Sequence, residues 1–193
     1  MRKDNLTKIA CIGDSLTFGL TLDVPEEDSY PNRLQMMLGD GFVVNPYLGR
    51  NGAGVWRSGF LPYVGTRECR EAVAWMADVL VVCLGTNDTF LPMTDSFRQE
   101  FVDDYVALLG ELKKNSQEAR FFLCLIPPIP ACKELAPAVA TINGMIADVA
   151  STCHATLIDL HTPFLSKNEL FSDGIHPNEA GARLIAETVF RAL

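Results

Sequence analysis

Long apolar runs are missing from this sequence: nowhere do ~18 apolar residues follow one another, so no transmembrane helix is expected. The opening MRKDNLTKIACIG carries charge but lacks an apolar segment of the length a secretory leader needs, which points to a cytoplasmic protein. Positive charge is scarce. Against 24 Asp and Glu stand 16 Lys and Arg, a formal net charge of −8 on 193 residues. Such a surface repels phosphate backbones and anionic lipid, so neither nucleic acid nor a membrane is an expected partner. The six cysteines show no C-x-x-C spacing and no zinc-finger or zinc-ribbon pattern. Cys11, Cys83 and Cys124 lie inside apolar runs, and the thiols read as small buried hydrophobes in a reducing compartment. Walker A, G-x-G-x-x-G and H-E-x-x-H are absent, which removes nucleotide, dinucleotide and zincin readings. G-x-S-x-G is absent too, which argues against an α/β-hydrolase. No repeat, low-complexity tract or Ser/Gly/Pro linker divides the chain, so residues 1–193 read as a single domain. At that length about 70% of the unfolded chain's surface can be buried, enough for a core without staples.

Short apolar runs do recur, at KIACIG (8–13), FVVNPYL (42–48), DVLVVCLG (78–85), RFFLCLI (120–126) and ATLIDL (155–160). Helix-period segments separate them, which is the pattern of repeated βαβ units. One such segment places Phe97, Phe101, Leu108 and Leu112 on a single helical face, with Thr94 or Asp95 as its cap. The last, from Pro177 to about Leu193, repeats apolar residues at Ala180, Leu184, Ile185 and Val189 and reads as a terminal amphipathic helix. Continuous rather than alternating strands call for burial on both faces, and right-handed crossovers then give a three-layer α/β/α sandwich with about five parallel strands. Ligands bind at the carboxyl edge of such a sheet, where the stiff LIPPIP (125–130) also falls.

Four segments at that edge carry residues able to do chemistry. GDSLTFG (13–19) ends the first strand with a glycine turn and a serine, Ser15, whose hydroxyl is exposed and whose own N–H is free to face an anion. GRNGAG (49–54) follows the second strand with backbone that can approach a substrate closely. GTND (85–88) follows the third strand and aims the Asn87 amide at the same cleft. SDGIHPN (172–178) sets Asp173 three residues before His176, so that one turn of backbone holds a base and the carboxylate that fixes its tautomer. Each segment alone reads as a cap or a turn. Together they supply a nucleophile, a base, an orienting acid and oxyanion donors.

The four blocks, in this order, resemble those of the SGNH subgroup of the GDSL esterase/lipase family, and they span residues 13 to 178. The resemblance implies a flavodoxin-like fold, with Ser15 as nucleophile, His176 as base and Asp173 as its partner. It implies an oxyanion hole of the Ser15 N–H, Gly52 and Asn87, with Gly49 and Gly54 as alternatives to Gly52. In that chemistry His176 takes the Ser15 proton as the hydroxyl attacks an ester carbonyl, and water later releases the acyl group. No metal and no organic cofactor is required. Activity should then rise through the ordinary histidine titration range.

Specificity falls to the loops. LTLDVPEEDSYP (20–31) is acidic, and VWRSGFLPYVG (55–65) offers Trp56, Phe60 and Tyr63 as a platform for a sugar ring or a wall for a short acyl chain. Asp14, with Trp56 and Phe60, is placed among the residues facing substrate, although Asp14 and Asp88 also read as loop braces. His154 and His161 read as structural, and Ser58 lacks a strand-end setting. No long apolar lid is present, which disfavours a lipase. The expected substrate is a small ester, an acetyl or other short acyl group on carbohydrate or another polar alcohol, as in small bacterial acylhydrolases and sialate O-acetylesterase-like members. The expected assembly is a monomer or small homo-oligomer. Alternatives are a lysophospholipase or thioesterase-type acylhydrolase, a non-catalytic carbohydrate-binding domain, and a phosphoesterase holding a divalent metal on Asp14, Asn87, Asp173 and His176.

Overall fold

A computed structural model describes residues 6–193. Five strands, β1 (Thr7–Gly13), β2 (Phe42–Gly49), β3 (Val79–Cys83), β4 (Arg120–Leu125) and β5 (Thr156–Asp159), form one sheet in the order β2-β1-β3-β4-β5. Every pairing is parallel. The central strand explains why: all five side chains of β3 are buried, a run that only a sheet covered on both faces can satisfy.

Alternate residues divide between two cores. Ala10, Ile12, Leu80, Val82 and Leu123 meet α4 (Arg67–Trp75), α5 (Phe97–Leu112) and α6 (Ala136–Thr152) on one face. Ile9, Cys11, Val81, Cys83 and Cys124 meet α3 (Tyr30–Leu38) and α7 (Glu179–Ala192) on the other. Each fully buried Val, Leu, Ile or Phe contributes about 1.5–3 kcal/mol relative to its exposed state. All six cysteines are free thiols, four of them buried. Burial pushes the Cys69 thiol up to about 11, so it behaves as a hydrophobe rather than a nucleophile. No helix among the described residues is long and apolar enough to cross a membrane.

Three local expectations are corrected. β5 is an edge strand with Thr156, Leu157 and Asp159 exposed, because no further strand pairs with its outer side. The helix at 97 is not capped by the Thr94 or Asp95 side chain; the Thr94 carbonyl accepts the Phe97 N–H at 3.0 Å instead. α7 starts after Pro177, with the Asn178 side chain accepting from the Gly181 N–H, and its buried stripe is Gly181, Ala182, Ile185, Ala186 and Val189 while Ala180 faces solvent.

The strand order reverses between β1 and β3, where the following segments leave for opposite faces and open a crevice at the carboxyl edge. The segment after β1 carries Ser15 and the segment after β3 carries Asn87.

Candidate active site

At the end of β1 the chain turns into α1 (Ser15–Phe18), a helix of four residues, and a second of the same length, α2 (Pro25–Asp28), comes before α3. Asp14 caps it by accepting the Leu16 N–H at 2.9 Å. Ser15 is the first helical residue, so its N–H is one of the donors that a helix leaves unpaired. Its Oγ lies 3.1 Å from His176 Nε2.

Asp14 does not face substrate. It is fully buried beneath the turn, its Oδ1 held by the cap and its Oδ2 without a hydrogen-bond partner, as is the nearby Thr86 hydroxyl. Burial pushes the carboxyl up to about 6, although the Leu16 N–H, Thr86 and His176 ease the shift and Asp88 adds to it.

The fourth block reaches the same point from the loop before α7. Asp173 Oδ2 sits 2.7 Å from His176 Nδ1, while its Oδ1 accepts the Ile175 N–H at 2.9 Å and the His176 N–H at 2.8 Å. Partial desolvation works against the Asp173 charge, but the backbone N–H and ring of His176 with the Ile175 N–H outweigh it and hold the carboxyl down to about 2. The ring therefore donates from Nδ1 and presents Nε2 as an acceptor to the Ser15 hydroxyl. Gly174, at φ +81°, makes the turn, and its carbonyl accepts the Ala131 N–H at 3.0 Å from the proline-rich loop after β4. That loop is pinned in turn by Asn143, which accepts from the Ile126 N–H and donates to its carbonyl. His161 Nδ1 meets the same carbonyl at 3.2 Å, a structural contact, and His154 is an exposed residue in a left-handed turn.

Across the crevice, Asn87 Nδ2 donates one hydrogen to the Ala53 carbonyl at 2.8 Å, which orients the amide and leaves its second N–H available. Of the three candidate glycines, Gly54 spends its N–H on the Leu61 carbonyl, and Gly49 is packed hard against the Phe18 backbone. Gly52 has φ +79°, open space where a Cβ would stand, and an N–H with no acceptor among the described residues. Asp88 staples the two loops: its buried carboxylate accepts the Val55 N–H at 3.0 Å and the Trp56 N–H at 2.9 Å. Burial raises its pKa, against the pull of those same N–H groups.

Gly52, Asn87, Trp56, Phe60 and Leu91 line a small cavity. Phe60 is 95% exposed, whereas Trp56 is fixed by donating to Glu100 at 2.8 Å and by edge packing on Phe97. Tyr63 is no platform; it is buried, and its hydroxyl donates to the Leu48 carbonyl at 2.7 Å. Leu91 went unrecognised in the sequence, since a lone leucine after GTND carries no signal beyond its distance from Asn87. Among the described residues no three His, Cys, Asp or Glu side chains converge in a metal-binding group, so the four-residue metal reading loses its ligand set.

Residues 11–184 match the GDSL-like lipase/acylhydrolase family. An acetylxylan esterase of Xylanibacter ruminicola is 32% identical over 215 residues, covering 99% of this chain and 44% of that protein. This chain thus spans less than half of that relative's length. In fold, the chain is similar to an acetyl xylan esterase (TM-score 0.76, 23% identity, 96% of this chain and 99% of that one). It is also similar to a family two carbohydrate esterase from Clostridium thermocellum in complex with cellohexaose (TM-score 0.73, 21% identity, 98% of this chain and 64% of that one). A lipase/acylhydrolase from Enterococcus faecalis shares the fold as well (TM-score 0.76, 18% identity, 96% of this chain and 94% of that one). With that match running over residues 11–184, most of its length, the chain belongs to the GDSL-like lipase/acylhydrolase family.

Proposed function

We propose that this protein is a serine esterase that removes short acyl groups, acetyl foremost, from carbohydrate or other polar alcohols. The observation that carries the reading is the relay of Ser15 Oγ, His176 and Asp173, at 3.1 and 2.7 Å, at the sheet edge that also carries Gly52 and Asn87. As Ser15 Oγ attacks the ester carbonyl, His176 Nε2 takes its proton, and Asp173 stabilises the imidazolium without itself accepting a proton. The tetrahedral oxygen is met by the N–H groups of Ser15 and Gly52 and by the free amide hydrogen of Asn87. Each such donor is worth about 10²–10³ in kcat. Collapse breaks the carbon–oxygen bond to the alcohol, whose oxygen receives the proton from His176. Water, deprotonated by the same ring, then cleaves the acyl-serine.

The acyl group lies away from His176, because the histidine must reach the leaving oxygen. The cavity that Gly52 and Asn87 line with Trp56, Phe60 and Leu91 is about 20 Å³, room for a methyl-sized group. This supports acetyl over longer chains, and the esterases among the relatives support a carbohydrate alcohol.

The test is hydrolysis of p-nitrophenyl acetate, butyrate and octanoate, and acetate release from acetylated xylan, by wild type and Ser15→Ala with and without EDTA. Expected are a preference for acetate, indifference to EDTA, and a fall of about 10⁴–10⁶-fold in Ser15→Ala. Equal turnover by both proteins would sink Ser15 as nucleophile.

A further inference from the structure

Beside the Ser15 turn, toward edge strand β2, lies a separate cavity of about 170 Å³ lined by Phe18, Glu26, Asn32, Tyr47 and Glu68, among others. Its rings are open to solvent: Tyr47 is 72% exposed and Phe18 50%. Neither has been used in the chemistry described above.

Tyr47 owes its position to an irregularity in the sheet. Between the pairs Ala10–Asn45 and Ile12–Leu48, β1 advances two residues while β2 advances three. The extra residue is a bulge at Pro46–Tyr47, where a proline without an N–H to give the ladder is tolerated. Bulges of this kind redirect side chains, and they gather beside active sites. Phe18 is placed by α1, three residues after Ser15 and therefore on the same helical face, with Cβ atoms about 5–6 Å apart. The cavity thus begins within one helical turn of the nucleophile.

Its polar lining is rich in acceptors, with the Ser29 and Tyr47 hydroxyls able to donate as well. Glu26 and Glu68 present carboxylates, and Asn32 spends its amide N–H groups on the Pro25 carbonyl and the Ser29 hydroxyl, which leaves its oxygen to accept. Arg50 lies 3.8 Å from Glu68 and offsets that charge, so the site does not call for a cation. Aromatic faces with acceptors around them suit a ligand that has C–H faces and O–H donors. An anion would be repelled.

We propose that this cavity is a subsite for one sugar ring of the polymer that carries the ester, a step that rests on the carbohydrate-ester reading above. The volume is well under the ~300–1,000 Å³ of sites for drug-sized ligands, which fits one ring rather than a length of chain. Tyr47 and Phe18 stack on the ring, and Glu26, Glu68 and Asn32 accept its hydroxyls. Binding there, remote from the bond being cleaved, holds the ester over Ser15.

Two measurements test this. Xylotetraose and cellotetraose are titrated calorimetrically into Ser15→Ala and into Ser15→Ala/Tyr47→Ala, with tetramethylammonium as a control. In parallel, the ratio of kcat/KM on acetylated xylan to that on p-nitrophenyl acetate is compared for wild type, Tyr47→Ala and Tyr47→Phe. Expected is oligosaccharide binding that weakens about three- to tenfold on loss of the Tyr47 ring, a similar fall in the ratio through KM, and retention of both in Tyr47→Phe. Because Tyr47 is exposed, the variants fold, and their Tm confirms it. Unchanged binding and ratio in the Tyr47→Ala proteins, or binding of tetramethylammonium in place of the oligosaccharides, overturns the subsite. A wild type that cleaves p-nitrophenyl acetate but not acetylated xylan overturns the polymer assignment instead, and Tyr47-dependent oligosaccharide binding still upholds the subsite.

Discussion

Asp14 adjoins Ser15 and Asp173 bonds His176, yet the fold surrounds the two carboxylates differently. Asp14 is shut away with one oxygen unpartnered and is pushed up to about 6. The Asp173 side chain is 45% exposed, receives two backbone N–H groups and an imidazole, and is held down to about 2. The difference teaches that donors win only where burial is partial: depth raises Asp14 despite its one N–H, and Asp88 despite its two, while the part-exposed Asp173 is held down by its partners. Asp173 is thereby fitted to orient a cation, and Asp14 to cap a helix from below.

The largest way to break the contrast is to neutralise the charged member. Asp173→Asn keeps the shape but loses the charge and favours the wrong tautomer of His176, so kcat/KM on p-nitrophenyl acetate should fall about 10⁴-fold. A loss under tenfold would remove Asp173 from the relay.

A third carboxylate sharpens it. Asp88 is as buried as Asp14 but is satisfied by the Val55 and Trp56 N–H groups. Asp88→Ala strands those donors and frees the loop that carries Gly52, so urea unfolding should register a loss of about 2–4 kcal/mol. Turnover should drop with it by roughly tenfold or more.

Asp14 gives the next effect, and its sign is opposite to the usual one for a carboxylate. Its unfolded value is near 3.8 and its folded value about 6, so the folded protein holds the proton more tightly. Stability from this group is present at low pH and is withdrawn as pH climbs from about 4 past 6, a difference of up to roughly 3 kcal/mol. Asp14→Asn should therefore be more stable than wild type at pH 8, and the gap should close by pH 4 in thermal melts taken across that range. Equal melts at pH 8 would mean that Asp14 is satisfied by a donor.

Asp173 supplies the smallest term: its folded value is depressed, so its support is present above about 4 and is lost as pH falls toward 2. Its exposure and solvent screening limit that support to under about 1 kcal/mol.

The four blocks were legible because each is a local signal, a glycine turn after an apolar run or an Asp three residues from a His, and the parallel sheet then carries the ends of its strands to one edge. The choice among Gly49, Gly52 and Gly54 was not legible, since it depends on which N–H another loop has already taken. Nor did composition reveal that Tyr63 turns inward while Phe60 turns out, because both lie in one aromatic loop and only packing separates them. Asp14 carried two readings for a similar reason: a residue adjoining Ser15 points either toward a ligand or into the core, and the helix it caps decides for the brace. Pro46 was an unused signal, as a proline inside a strand announces either an edge or a bulge.

The bond from the Ala131 amide to the Gly174 carbonyl gives the molecule a built-in clock. That amide exchanges with solvent only when the Asp173–His176 turn parts from the proline-rich loop. Its deuterium uptake therefore counts how often that turn comes undone while the rest of the sheet stays folded.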